Sequence, residues 1–176
     1  KTNEIARIGT WELDLEKNKI YWSKVVCEIH EVPEGYVPDL ETGINFYKEG
    51  DSRNKIRKCV QEAIEQGKSY DVEVELVTNK GNIIWARAIG QVQFVNGKCM
   101  RLFGVFQDIS EVKFSQTALK KAHIELKAIF NSGPIAIITT DNNGVINHFN
   151  YGAELMLGYT AKEILGFEKP EIYHLE

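Results

Sequence analysis

Alternation of apolar and polar residues is strongest between residues 70 and 113. Residues 70 to 76 alternate at a period of two, which is typical of a strand with one buried face. Asn79-Lys80-Gly81 and Asn96-Gly97 divide the stretch into three runs and favour tight reversals, because Gly and Asn tolerate a positive φ. The last run passes directly into a helical pattern at Glu111. The pattern predicts a three-stranded antiparallel meander that continues into a helix.

The first 67 residues predict a hairpin followed by helices. Residues 10 to 15 alternate at a period of two, and residues 20 to 23 form a second short apolar run after a polar turn. Further on, apolar residues recur at helical spacing and predict one amphipathic helix that ends at Gly67: Ile56, Cys59, Val60, Ala63 and Ile64. The order of elements predicts an α+β fold with a five-stranded antiparallel sheet and a helical crossover.

Each predicted strand has an inward and an outward row. On the long strand we expect Ala86, Ala88, Gly90, Val92 and Phe94 to point inward, because this row has no polar group that would need a buried partner. Trp85 and Ile89 then lie on the outer face. The inward rows and the crossover helix supply seven residues that line a pocket or equally fill a solid core: Trp22, Ile56, Val60, Ile64, Tyr70, Val72 and Val74.

The predicted helix from residue 111 has a heptad pattern. Val112, Leu119 and Leu126 are seven residues apart, and Ser115, Ala122 and Ile129 form a second row three residues further on. About three heptads of this kind are the lower limit for a coiled coil. One interpretation is a parallel dimeric helix, with Val112, Leu119, Ala122, Leu126 and Ile129 at the interface. The alternative is an amphipathic helix packed on its own domain.

Composition and charge exclude several classes of partner. The net charge of −4 comes from 21 basic and 25 acidic residues without a basic stripe, so we expect no nucleic-acid binding. No apolar run reaches the ~18 to 20 residues of a membrane span, so this segment should not insert into a membrane. The first residue is Lys1 rather than Met, and we expect a piece of a longer protein, located in the cytoplasm, whose parent could be membrane-anchored.

Metal binding and catalysis have no sequence signature here. Cys27, Cys59 and Cys99 lie far apart, and none of the four histidines is four residues from another His or a Cys, so we expect reduced thiols and no metal site. Gly-rich phosphate loops, G-x-S-x-G and H-E-x-x-H are absent. We therefore expect a protein that is not an enzyme, which leaves ligand sensing, partner binding or both.

Two motifs stand at the ends of the predicted sheet. The opening hairpin begins Ile8-Gly9-Thr10-Trp11, and the closing strand ends Gln107-Asp108-Ile109-Ser110. With these motifs, residues 1 to 110 resemble a PAS sensory domain with its C-terminal PAC portion. PAS domains usually close with Asp-Ile-Thr, so Ser110 keeps the hydroxyl and loses a methyl group. The resemblance implies a sensory function, in which Asp108 and Ser110 couple the sheet to the start of the helix.

Residues 133 to 176 resemble the opening part of a second PAS domain. This resemblance rests on the hairpin over residues 132 to 146, on Asn150, and on Gly158-Tyr159-Thr160 followed by Glu163. The predicted organisation is a PAS/PAC domain at 1–110, a signalling linker helix at 111–132 and a truncated second PAS domain at 133–176.

The PAS resemblance specifies no cofactor. The flavin-photoreceptor signature Asn-Cys-Arg-Phe-Leu-Gln does not occur, the longer helix has no His for a haem, and we expect His30 at the surface or as a helix cap. A small-molecule ligand stays open. Two functions compete: a homodimeric sensory module that passes ligand or partner state to a downstream output domain, as in the input region of a histidine kinase or cyclic-di-nucleotide enzyme, and an interaction scaffold with a filled core and no ligand.

Overall fold

The predicted five-stranded antiparallel sheet is present in the computed structural model of the chain, which describes residues 7–95, 97–132 and 135–166. The strands pair in the order β2-β1-β5-β4-β3, so the opening hairpin joins the meander through β5. Their bounds are β1 Ile8–Asp14, β2 Lys19–Trp22, β3 Tyr70–Val77, β4 Ile83–Val95 and β5 Lys98–Asp108. The α+β fold class is therefore confirmed.

Three helices connect β2 to β3 and pack against the sheet: α1 Lys24–His30, α2 Leu40–Asn45 and α3 Asp51–Gln66. The longest, α3, buries Ile56, Val60 and Ala63, which share one face of the helix as their spacing predicts. It ends at Gly67, whose φ of 73° lies in the left-handed region that glycine adopts without a steric penalty. The core of this unit lies between these helices and one face of the sheet.

Burial along β4 confirms the predicted inward row at Ala86, Ala88 and Gly90, but Phe94 is 37% exposed, after a register shift between Gln93 and Phe94. Ala86 and Ala88 are buried, whereas Ile83 and Trp85 are exposed on the outer face. Further along, Gly104 of β5 pairs with Gly90 of β4. A Cβ added at Gly104 would lie 1.8 Å from the carbonyl oxygen of Ile89. Only a residue without a side chain therefore allows β4 and β5 to approach at this point.

A long helix follows the sheet without a connecting loop. This helix, α4, spans Ser110–Ser132, so it begins one residue earlier than the predicted linker. The chain divides within it into two compact units, Lys1–Phe114 and Ser115–Glu176. Across the described residues, no helix combines the length and apolar content needed to traverse a membrane.

The second unit contains the predicted hairpin. It comprises β6 Ile138–Thr140, β7 Ile146–Phe149, α5 Tyr151–Leu157 and α6 Ala161–Ile164. The turn between the strands is held by Asp141, whose carboxylate accepts hydrogen bonds from the backbone N–H groups of Asn143 and Val145. These bonds lower the pKa of Asp141. A small core buries Ile146, Phe149, Ala153 and Ile164.

Candidate functional site

A cavity of about 50 Å³ lies in the core of the first unit, between the sheet and the helices. Trp22, Ile56, Val60 and Tyr70 line it, as does a further group of residues that the sequence pattern does not single out. The most informative members of that group are Trp11, His30, Tyr47, Leu102 and Phe106.

Three residues expected in the pocket lie elsewhere in the core. Val74 is buried, and Ile64 and Val72 are partly buried and pack against the main core cluster, but none of the three lines the cavity. On β3 the cavity is therefore reached at Tyr70, and the inward residues that follow it fill solid core.

His30 was expected at the surface or as a helix cap, and that prediction is wrong. Its side chain is only 2% exposed, in the middle of an aromatic cluster. The ring stacks on Trp22 with centroids 4.0 Å apart, and Phe46 and Phe106 lie at 5.1 and 4.9 Å. These neighbours come from three different parts of the chain, so the local pattern of α1 carries no sign of them.

The imidazole of His30 is neutral at pH 7. Its Nδ1 lies 2.8 Å from the carbonyl oxygen of Val26, and because a carbonyl can only accept, Nδ1 carries the proton. Burial lowers the pKa of His30 from 6.5 to about 4, and the bond to Val26 offsets only part of this effect. Nε2 is left as a hydrogen-bond acceptor without a partner among the described residues.

Two tyrosines bring hydroxyl groups to the same cavity. Tyr47 and Tyr70 both line the cavity, and burial raises the pKa of both hydroxyl groups well above 10. The cavity is therefore mainly apolar with a few buried polar groups.

The cavity does not fit a flavin or a haem. Cofactor-sized pockets measure about 300 to 1,000 Å³, several times the volume of about 50 Å³ found here. Among the described residues, no cluster of His, Cys, Asp or Glu is arranged to hold a metal ion.

The junction between β5 and α4 is held by Asp108 and Ser110, the two residues predicted to couple sheet and helix. Asp108 Oδ1 accepts the N–H of Ser110 at 3.0 Å, and Oδ2 lies 2.8 Å from the guanidinium of Arg7. Ser110 Oγ accepts the backbone N–H of Trp85 at 3.0 Å, and the Trp85 carbonyl accepts the N–H of Ile109 at 2.9 Å. The first turn of α4 is thus tied to β4, to β5 and to the residue before β1. No motif or periodicity in the sequence marks Arg7 as the partner of Asp108.

The same strand connects this junction to the cavity. Phe106 lines the cavity and contacts His30, and Asp108 follows two residues later on the same face of β5. The side chain of Asp108 is only 8% exposed, so its charge is held in place by Arg7 and the helix start. β5 therefore carries both a wall of the cavity and a residue that holds the start of α4.

The heptad positions of α4 lie at the surface. Leu119 and Ile129 are 73% and 71% exposed, and Val112, Ala122 and Leu126 are also exposed. No residue of α4 is buried. The predicted apolar row is therefore left uncovered.

In the second unit, Asn150 ties the end of α4 to the hairpin. Its Nδ2 donates to the carbonyls of Phe130 and Ile135, at 2.7 and 3.0 Å. Its Oδ1 accepts the N–H groups of Ile137 and Ala153, at 2.7 and 2.9 Å. All four hydrogen-bonding positions of a 1% exposed amide are filled, which explains why Asn stands at the end of β7.

Two stretches of the chain match PAS families. Residues 19–106 match the family described as PAS fold, and residues 125–175 match one described as PAS domain. The first match covers half of the chain and most of the residues that line the cavity, and the second covers the hairpin of the second unit.

Curated relatives align over nearly the whole chain. The sensor protein FixL of Bradyrhizobium diazoefficiens is 29% identical over 161 residues, which are 90% of this chain and 32% of that protein. The probable diguanylate cyclase DgcE of Escherichia coli is 28% identical over 174 residues, which are 98% of this chain and 16% of that protein. The chain thus spans a third or less of the length of these relatives.

A solved structure shows the same fold. The sensory box histidine kinase/response regulator of Burkholderia thailandensis superposes with a TM-score of 0.56 at 23% identity, over 72% of this chain and 95% of that one. The sheet order agrees with this fold, and the match over residues 19–106 shows that the chain belongs to the PAS fold family.

Proposed function

We propose that this chain is the non-catalytic sensory and dimerisation module of a bacterial-type signal-transduction protein. In this role, the state of the core cavity, or of a bound partner, is passed through the sheet to α4 and on to an output domain. The observation that supports it best is the continuity of β5, which carries both a wall of the cavity at Phe106 and the cap of the helix at Asp108.

Dimerisation through α4 is part of the proposal. The exposed heptad row of Val112, Leu119 and Leu126 repeats at the seven-residue period by which parallel coiled coils bury their seam. A second copy of the chain supplies the same row, so it is the partner that matches this period. Paired helices would convert a small change at the junction into a rotation or shift that a downstream domain can detect.

The organisation that goes with this function is a PAS/PAC domain at 1–110, a signalling helix at 111–132 and the opening of a second PAS domain at 133–176. The name of FixL, a sensor protein, supports the sensory role, and that of DgcE, a probable diguanylate cyclase, supports an output domain of the cyclase type. A histidine kinase is the other output that we propose. We place this module in the cytoplasm, where such output domains find their nucleotide substrates.

A scaffold with a filled core is the competing function. The small volume of the cavity supports it, as do Ile83 and Trp85, which are exposed on the outer face of the sheet. A scaffold needs no coupling between the core and α4, so the behaviour of the junction separates the two functions.

Asp108→Ala tests the coupling. This change removes the ion pair with Arg7 and the cap of the first turn, so hydrogen exchange of the α4 amides up to Phe114 should speed up about 5- to 30-fold. Glu12→Ala is the matched control, because it breaks a carboxylate–Arg pair with Arg101 on the same sheet, towards the other end of β5 from the junction. Equal exchange at the start of α4 in both variants would argue for the scaffold.

Leu119→Glu tests the dimer. A charge in the heptad row should dissociate the dimer in sedimentation experiments, whereas Ile124→Glu makes the same chemical change on the opposite side of α4 and should leave the dimer intact. A wild-type chain that sediments as a monomer at all accessible concentrations would rule out this part of the proposal.

A further inference from the structure

The polar groups around the core cavity define the chemistry of its ligand. We propose that the cavity binds a small uncharged molecule of about three non-hydrogen atoms that both accepts and donates hydrogen bonds. This inference adds a class of ligand to the proposed sensory function. It rests on that function only for the expectation that binding changes the start of α4.

The size of the ligand follows from the volume of the cavity. An engineered cavity of about 150 Å³ in another protein holds a six-membered carbon ring. The volume of about 50 Å³ found here therefore has room for roughly two to three non-hydrogen atoms. Larger ligands would require the surrounding helices to move.

The absence of charge follows from the lining. None of the residues that line the cavity carries a formal charge at pH 7, since His30 is neutral there. Burial disfavours the charged forms of His30, Tyr47 and Tyr70 alike. The same desolvation would act on an ion in the cavity, and no counter-ion in the lining would offset it.

The hydrogen-bonding character of the ligand follows from three polar groups of the lining that have no hydrogen-bond partner among the described residues. Nε2 of His30 is an acceptor, because Nδ1 carries the proton that is donated to Val26. The hydroxyl groups of Tyr47 and Tyr70 are donors, and neither has a hydrogen-bond partner among the described residues. Buried polar groups without partners are unfavourable, so a molecule that donates to His30 and accepts from a tyrosine would satisfy several groups at once.

The position of Tyr70 is fixed by its neighbours. A Cβ at Gly90 would lie 2.3 Å from Cζ of Tyr70 and 2.7 Å from its hydroxyl oxygen, so the ring rests directly on the glycine. Trp11 stacks near the same ring, with centroids 6.5 Å apart. The hydroxyl is therefore held before a ligand arrives, which lowers the entropy lost on binding.

Formamide and formate test this inference as a matched pair. Both have three non-hydrogen atoms and the same planar shape, but formamide is neutral and formate is an anion at pH 7. Because very small ligands reach at most a limited free energy per atom, we expect a dissociation constant of about millimolar or weaker for formamide. The NMR signals of the His30 ring and the Tyr47 and Tyr70 amides should shift with formamide and saturate. Formate at the same concentration and ionic strength should leave them unchanged.

Variants that remove a single oxygen atom locate the site. Tyr47→Phe and Tyr70→Phe should each weaken formamide binding about three- to tenfold. Tyr21→Phe is the matched control, because Tyr21 is exposed and does not line the cavity, and it should leave binding unchanged. Equal effects of all three variants, binding of formate as strong as that of formamide, or no saturable shift with formamide would each overturn the inference.

The formamide experiment and the test of sensory coupling can fail independently of each other. Saturable formamide binding without any change in exchange at the start of α4 would support the ligand class and contradict sensory coupling. The absence of formamide binding, together with an Asp108-dependent response of α4 to changes in the core, would overturn the ligand class and leave the sensory function standing.

Discussion

Protonation of His30 should destabilise the first unit as the pH falls below neutral. The pKa of His30 is about 4 in the folded chain and 6.5 in the reference state, so between these values the unfolded chain binds a proton that the folded chain excludes. The stability associated with neutral His30 is therefore complete above about pH 6.5. It is lost progressively as the pH falls towards about 4.

The magnitude follows from the difference between the two pKa values. A lowering from 6.5 to about 4, at about 1.4 kcal/mol per unit, corresponds to about 3 kcal/mol in total, of which about 2 kcal/mol is lost by about pH 5. The groups in ring contact with His30 are Trp22, Phe46 and Phe106, none of which carries a charge that would offset the cost.

Urea unfolding at several pH values measures this effect. All three tryptophans, Trp11, Trp22 and Trp85, lie in the first unit, so their fluorescence reports the unfolding of that unit alone. Carboxylates also titrate in this range, but they contribute equally to wild type and His30→Gln. The difference in the free energy of unfolding between these two proteins should therefore shrink by about 2 kcal/mol between about pH 7 and pH 5.

The control is Phe46→Leu, which loosens the aromatic cluster but keeps the histidine. Its free energy of unfolding should fall with pH in much the same way as that of the wild type. A constant difference between wild type and His30→Gln across the pH range, or an NMR titration of the His30 ring with a pKa near 6.5, would refute the reasoning.

Three further substitutions test individual contacts. Asn150→Ala should destabilise the second unit by about 3 kcal/mol or more, because four hydrogen bonds to a buried amide are lost, and near-native stability by hydrogen exchange would contradict this. Gly104→Ala should lower the stability of the first unit by about 2 to 3 kcal/mol in urea, since its Cβ would overlap the carbonyl of Ile89; an unchanged midpoint would show that the strands can separate freely. Thr78→Val removes the hydroxyl that binds Glu31, and the pKa of Glu31, which this bond lowers, should rise in an NMR titration; no change would refute that assignment of the cause.

The sheet could be predicted because its evidence is local. Alternation at a period of two placed Ala86 and Ala88 inside and Trp85 outside, and the glycine-containing turns placed the strand ends. The spacing of Ile56, Val60 and Ala63 likewise defined the buried face of α3 without any knowledge of tertiary structure.

The cavity could be predicted only in part because its lining is assembled from distant segments. His30 occupies the end of a short helix, where a local pattern cannot show that Trp22, Phe46 and Phe106 converge on it. Periodicity shows that both Tyr70 and Val72 face inward. It does not show that Tyr70 lines the cavity and Val72 does not. That distinction depends on how side chains from several elements fill the space between them.

Filling the cavity and observing the start of α4 tests the central claim most directly. Val60→Leu adds one methylene to a residue that lines the cavity, and Val72→Leu makes the same change at an inward residue that does not. We predict that Val60→Leu changes hydrogen exchange of the α4 amides up to Phe114 at least about fivefold. Val72→Leu should not do so, and the response to Val60→Leu should disappear when Asp108 is replaced by Ala. If these amides exchange at the same rate in Val60→Leu as in Val72→Leu, the core and the helix are not coupled, and the sensory account is contradicted.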